Sequence, residues 1–169
     1  MASQERVADL RIDAATEADA PVLLSLIRGL AEYERLLHRV VATEEGLRAA
    51  LCGPRPVAEA VIARLGDEAV GFAVYFPSFS TFAGRPNMYL EDLYVEPQWR
   101  RQGVGRRLFA HVASIAAARG WRQMNWSVLA WNEPALDFYR GLGAEPVKDW
   151  VGYRIAGEAF SHLARRGDD

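Results

Sequence analysis

An apolar strand pattern from Met88 to Val95 stops at Pro97. It gives way to a basic loop, Arg100-Arg101-Gln102-Gly103-Val104-Gly105, and then to the start of an amphipathic helix. No other stretch constrains this chain as much. A strand feeding a glycine loop that opens a helix is a place to hold phosphate. Glycines let the backbone come close, consecutive N–H groups converge, and the helix N-terminus adds partial positive charge. The arginines supply full charges. The plainer alternative is an ordinary strand–loop–helix connection with solvated arginines, since short glycine motifs match easily.

Two phosphate loops can be tested against this one. A Walker A loop ends in Gly-Lys-Ser or Gly-Lys-Thr, whereas Gly105 is followed by Arg106-Arg107. A dinucleotide fingerprint needs a third small residue, where this chain has Leu108, and a carboxylate about twenty positions on. That later stretch reads Gln123-Met124-Asn125-Trp126-Ser127. Both fail. The remaining pattern, Arg100-x-x-Gly103-x-Gly105, resembles the acyl-coenzyme A pyrophosphate loop of the GNAT family of N-acetyltransferases. The resemblance implies that the preceding strand (Leu93, Tyr94, Val95) lines the pantetheine arm. It also implies that the loop (Arg100, Arg101, Gln102, Gly103, Val104, Gly105, Arg106) holds the pyrophosphate of acetyl-coenzyme A.

With 169 residues, 50% apolar and 25% charged, the chain suits one domain, with a fold core of about residues 8–164 between short polar tails. A net charge of −2 gives no reason to expect nucleic acid or an anionic membrane as partner. Cys52 is the only cysteine, so no intrachain disulfide is possible and a reducing compartment fits. Residues 1–15 hold no signal-peptide core and no run of eighteen apolar residues occurs, so a soluble, cytoplasmic protein is expected.

The element order reads β-α-α-β-β-β-α-β-α-β, an α/β layered sheet flanked by helices. Residues 8–14 suggest a first strand. Thr16 and Asp19 resemble a capping box opening a helix to about Leu37, with Val22, Leu23, Leu26, Ile27 and Leu30 on one face. A second helix follows Thr43. Val57–Leu65 and Ala69–Phe76 form strands joined by Gly66-Asp67-Glu68. Residues 77–87 read as a loop before the Met88–Val95 strand. After the glycine loop a helix runs to Gly120, Trp121–Leu129 has strand character, and Asn132 caps a helix stopping at Gly141 or Gly143. A last strand is expected at about Val147–Ile155. The GNAT family has this order.

Three segments narrow the resemblance: Tyr89-Leu90-Glu91-Asp92-Leu93-Tyr94-Val95, Trp131-Asn132-Glu133-Pro134-Ala135-Leu136-Asp137-Phe138-Tyr139, and Leu30-Ala31-Glu32-Tyr33-Glu34. They are similar to the diamine (spermidine/spermine) acetyltransferase branch over roughly residues 10–164. Ser80-Thr81-Phe82-Ala83-Gly84 is closer to its thialysine-acetylating members. The implied function is direct transfer of an acetyl group from acetyl-coenzyme A to a primary amine of a small molecule.

An amine near pKa 10 is almost wholly protonated at pH 7, and only its neutral form attacks a thioester. Something must take a proton, and something should protonate the departing thiolate. Tyr139, read as early enough on its helix to point back toward splayed strands, is the acid that the resemblance implies. With Asn132 it also joins the coenzyme site. The alternative packs Tyr139 beside Phe138. Glu91 sits in an apolar strand, where a carboxylate is costly unless paired or useful. It is the candidate for binding the ammonium and accepting its proton, with Asp92 as a second amine ligand; the alternative for both is an ion pair with an arginine. Alternation sets Glu91 with Tyr89 and Leu93, and Asp92 with Leu90 and Tyr94. The resemblance places Tyr33 and Glu34 over the acceptor pocket; by sequence alone they could be a solvated helix end.

Polyamine-acetylating relatives tend to be acidic where this chain has Ser80 and Ala130, and carry further glutamates where it has Lys148-Asp149-Trp150. Ser80 is thus read as lining a pocket for an acceptor with few charges, such as thialysine or a short diamine. His38, His111 and His162 are scattered without ligand spacing, so no metal is expected. Ser114, Ser127 and Cys52 lack a nucleophile context. Two rivals stand beside this reading: a protein or peptide N-acetyltransferase, and a non-catalytic acyl-coenzyme A binding module. Relatives dimerise, and Trp126, Trp131 and Trp150 offer aromatic surface for a homodimer.

Overall fold

The computed structural model describes Val7 and residues 9–166. Residues 1–6, Ala8 (where the first strand is expected to start) and 167–169 lie outside the described residues. The chain divides into two compact units, residues 1–127 and 128–169.

The first unit holds one mixed five-stranded sheet. Its strands are β1 (Arg11–Ala14), β2 (Glu59–Leu65), β3 (Glu68–Ser80), β4 (Arg85–Val95) and β5 (Met124–Asn125), in spatial order β1-β2-β3-β4-β5. The first four pair antiparallel, and β4 pairs with β5 in parallel. Both faces are covered, which is why β2 reads as a nearly continuous buried run rather than an alternating one. Val61 and Ala63 face one core with Val70, Met88 and Leu90. That core closes on Leu108, Val112 and Ala116 of helix α3 (Val104–Ala118). Ala60 and Ile62 face the other with Phe72 and Tyr94, under Leu23 and Leu26 of helix α1 (Ala20–Tyr33). Phe72 is fully buried, so truncating it to alanine would cost roughly 3–5 kcal/mol.

The start of α1 follows the sequence. The Thr16 N–H and hydroxyl both donate to the Asp19 carboxylate, at 2.8 and 2.9 Å, and a single 3-10 turn (Glu17–Asp19) leads into the helix. Its end does not follow the sequence. The helix stops at Tyr33 rather than Leu37 because Arg35 takes a left-handed conformation (φ 60°). The Leu36 N–H then bonds to the Ala31 carbonyl at 2.7 Å and the Arg35 N–H to the Glu32 carbonyl at 3.0 Å, a Schellman closure built without glycine. Helix α2 (Glu44–Cys52) starts at Thr43, whose hydroxyl accepts from the Gly46 N–H.

Residues 77–87 are not a loop. β3 and β4 stay paired from Pro77↔Met88 out to Ser80↔Arg85, leaving only residues 81–84 as the turn. β2 pairing ends at Glu59↔Tyr75 and β5 pairing begins at Met88, so this overhang is a two-stranded ribbon. Prolines 77 and 86 are tolerated there because one side of each strand has no ladder to complete. Phe76 stacked on Tyr89, with ring centroids 5.2 Å apart, reinforces the ribbon's base. The strand expected at 121–129 shrinks to Met124–Asn125, and the half-buried Trp126 packs edge-on against Phe109 at 5.2 Å.

The second unit contains α4 (Glu133–Arg140) and α5 (Gly157–Arg165). The strand expected at 147–155 does not form. Val151 and Tyr153 there are 75% and 94% exposed, and strand propensity is realised only against a neighbouring strand and a packed face. Among the described residues no helix is long and apolar enough to cross a membrane.

Candidate active site

The site is built around the second half of β4. Val74 lies opposite Asp92 while its neighbour Tyr75 lies opposite Leu90, so Glu91 is an extra residue, a β-bulge. The bulge reverses the alternation. Leu90 and Leu93 both serve the α3-side core, whereas Tyr94 serves the α1 side, and Asp92 follows Tyr94 alone rather than Leu90 as well. Beyond Met88↔Met124 and Tyr89↔Asn125 no further β4–β5 pairs form. From Leu90 to Val95, β4 therefore has ladder partners on its β3 side only.

Glu91 is exposed and Asp92 partly buried. Neither joins any of the ion pairs among the described residues. Burial, then the charge of Glu91, then that of Glu34, push the Asp92 carboxyl up to about 6. Glu34, the residue capping the end of α1, is itself raised by burial. Glu34, at the end of α1, thus adds with Glu91 to the negative charge bearing on Asp92, and no arginine offsets it. Tyr33, beside Glu34 in sequence, is partly buried.

The glycine loop takes the shape its sequence implies. Arg101 (φ 58°) and Gly103 (φ 89°) are both left-handed, and Gly103 is the residue before α3. A Cβ on Gly103 would meet nothing within 4 Å, so its backbone angle, not crowding, favours glycine there. Val104, Gly105 and Arg106 form the first turn of α3, whose N–H groups have no intrahelical acceptor. Gln102 donates through its amide to the Gln98 carbonyl at 2.8 Å. The arginines divide. Arg101 and Arg106 are exposed. Arg107 is tied to the Val7 and Leu10 carbonyls at 2.5 and 2.7 Å. Arg100 turns inward: its Nε–H donates to the Val95 carbonyl at 2.8 Å, and its guanidinium lies 4.3 Å over the Tyr33 ring and 5.4 Å over Tyr94. Sequence reasoning counted Arg100 as a charge for phosphate; nothing local to the motif reveals the two tyrosines it stacks on.

Ser80 is not brought to the carboxylates within this unit. Its hydroxyl accepts from the Ala83 N–H at 3.2 Å in the hairpin turn. Its cross-strand partner Arg85 precedes Glu91 by six positions on β4, about 20 Å of strand.

In the second unit, the buried Asn132 caps α4, its side chain accepting from the Ala135 N–H at 3.3 Å. Tyr139 lies in the last turn of that helix, not early on it, because Gly141 ends the helix. Its ring meets Phe138 edge-on at 5.2 Å.

Residues 27–144 match the model of the acetyltransferase (GNAT) family. The chain is 39% identical to a thialysine N-epsilon-acetyltransferase of Mus musculus, over 95% of this chain and all of the relative. Against the same enzyme of Bos taurus it is 40% identical, over 94% and 99%. An L-ornithine N5-acetyltransferase of Arabidopsis thaliana is 29% identical, over 90% and 87%. Among solved structures, an integron cassette protein from the mobile metagenome of V. cholerae superposes with TM-score 0.78 at 25% identity, over 93% of this chain and 98% of that one. An aminoglycoside acetyltransferase from an uncultured soil metagenomic sample does so with TM-score 0.76 at 22% identity, over 89% and 98%.

Proposed function

The chain belongs to the acetyltransferase (GNAT) family, and on that premise we propose that it moves the acetyl group of acetyl-coenzyme A directly to a primary amine of a small molecule, a thialysine-like amino acid or a short diamine. One observation carries the acceptor half of this reading: Asp92 lies in the half of β4 that has no neighbour on its β5 side, under the charges of Glu91 and Glu34, and none of the three has an ion-pair partner among the described residues. Such a cluster is unfavourable by itself and is relieved by a bound cation.

The residues present fit the coenzyme. Its pyrophosphate suits the N–H groups of Gly103, Val104, Gly105 and Arg106 with the charges of Arg101 and Arg106. The Leu93–Val95 backbone, unpaired on one side, suits the pantetheine arm. When bound, the coenzyme supplies an activated acetyl thioester. Glu91 and Glu34 then hold the ammonium. Asp92, rather than Glu91 as expected from the sequence, takes its proton, directly or through water, since a carboxyl near 6 matches proton transfer at neutral pH better than an ordinary one. Tyr139 donates to the leaving sulfur, and Asn132 fixes the start of the helix that carries it.

The same reading expects a cytoplasmic homodimer. The apolar residues exposed in the second unit, Trp150, Val151, Tyr153, Phe160 and Leu163, support association. A sedimentation run giving monomer at micromolar concentration would refute it.

The function is tested by incubating the protein with acetyl-coenzyme A and a panel of thialysine, lysine, ornithine, putrescine, spermidine, a lysine peptide and a peptide with a free N-terminus. Thiol release and product mass are read. Turnover on a small amine is expected, with Tyr139→Phe reducing kcat. Turnover on peptides alone would make it a protein acetyltransferase, and coenzyme binding without turnover a binding module.

A further inference from the structure

We propose that Arg100 is a positioning residue for the amine acceptor: stacked on Tyr33 and Tyr94 and bonded to Val95, it holds the end of α1, and with it Glu34, against the carboxylates of β4. The inference rests on the acceptor reading above, and it departs from the role the loop motif suggests for this arginine.

The side chain is committed within the protein. Its Nε–H is used on the Val95 carbonyl at 2.8 Å, and one guanidinium plane serves two tyrosines from different elements, at 4.3 Å for Tyr33 on α1 and 5.4 Å for Tyr94 on β4. Tyr94 is buried, and its hydroxyl donates to Glu96 at 3.3 Å. It reaches α1 because Gly29 leaves it room: a Cβ there would stand 2.8 Å from the Tyr94 hydroxyl oxygen. Gly29 and Tyr33 are four positions apart, on one helical face. The face of α1 that rests on Tyr94 is thus the face pinned by Arg100, one residue before Glu34. Helix α1 ends there through a non-glycine left-handed residue, Arg35, a conformation kept only where surrounding contacts enforce it. Arg100 holds Tyr33, two residues before Arg35, by its ring. Being the first residue of the coenzyme loop, it ties the position of the acceptor wall to that of the loop.

Lysine keeps the charge but neither stacks as a plane nor donates from an Nε–H. If Arg100 served the pyrophosphate through its fork of N–H groups, Arg100→Lys would raise the KM for acetyl-coenzyme A and leave that for the amine alone. The positioning role predicts the opposite split: the KM for amine rises about tenfold while the KM for acetyl-coenzyme A stays within about threefold. Tyr33→Leu gives the same amine defect, and the double variant is little worse than either single one. A rise confined to the coenzyme KM, or additive single effects, overturns the proposal.

A second readout needs no turnover. Asp92 is faced by Glu91 on its own strand and by Glu34 from α1. Carboxyl NMR titration of Asp92 is expected to shift downward in Arg100→Lys, in the direction of the shift that Glu34→Gln produces. An unchanged Asp92 titration in Arg100→Lys sinks the positioning role even if no amine proves to be a substrate, whereas absence of turnover with a shifted titration sinks only the acceptor reading.

Discussion

Four acidic residues of the first unit form two pairs with opposite electrostatics. Asp19 and Glu59 each have an arginine. Burial raises the Asp19 carboxyl, but hydrogen bonds from Thr16 and the Arg64 guanidinium at 2.5 Å outweigh it and hold it low. Arg119 grips Glu59 through both nitrogens, at 2.6 and 2.7 Å, and lowers it as well. Glu34 and Asp92 have no arginine and are both raised, although Arg100 lies on the ring of the residue next to Glu34. The same chain pairs these carboxylates where they hold elements together and leaves them without an arginine at the site proposed for the amine.

The sharpest way to break this contrast is Asp92→Asn. Activity on the best amine is expected to fall about 100-fold in kcat/KM, as loss of a general base does. Stability at pH 7.5 should rise by roughly 1–3 kcal/mol, because an asparagine carries no buried charge. Thermal melts and steady-state rates on one preparation check both, and a variant that loses activity and stability together would contradict the contrast. Asp19→Ala should do the reverse, costing about 2–3 kcal/mol through loss of both the helix start and the ion pair, with little effect on kcat.

A smaller effect separates the groups by pH. Asp92 holds its proton more tightly folded than unfolded, so its contribution favours folding while protonated and is lost as pH rises through about 6. Asp19 and Glu59 are depressed, so theirs is present at neutral pH and lost only in acid, below the ordinary carboxylate range. Denaturant titrations should therefore show the ligand-free protein about 1 kcal/mol more stable at pH 5 than at pH 7.5. A saturating amine substrate is expected to reverse that order. The smallest effect concerns the backbone beside Glu34: Arg35→Gly, relieving the left-handed residue, should be neutral to about 1 kcal/mol stabilising.

What the sequence revealed was local. The glycine loop, the Thr16–Asp19 box, the Thr43 and Asn132 caps and the apolar core of β4 each follow from neighbours within a few positions. The bulge at Glu91 did not, since an extra residue exists only relative to the register of β3. The early end of α1 was hidden because Arg35, not glycine, takes the left-handed turn. The contact of Trp126 with Phe109 and the two tyrosines around Arg100 were hidden because those partners are distant in sequence. Residues 77–87 read as a loop because their pairing shows only in the register of β3 against β4.

The long β3–β4 hairpin also bears on the order in which the molecule assembles. Its pairing closes only residues 81–84, whereas β1 must find β2 across the interval from Arg11 to Arg64. Short loops close early at small entropic cost, and hairpins of this kind form within microseconds. The hairpin whose second strand carries Glu91 and Asp92 is therefore among the first structures that loop closure favours. Deleting a residue at the bulge would be felt as a misregistered nucleus and slower folding, not as a local defect in an otherwise finished sheet.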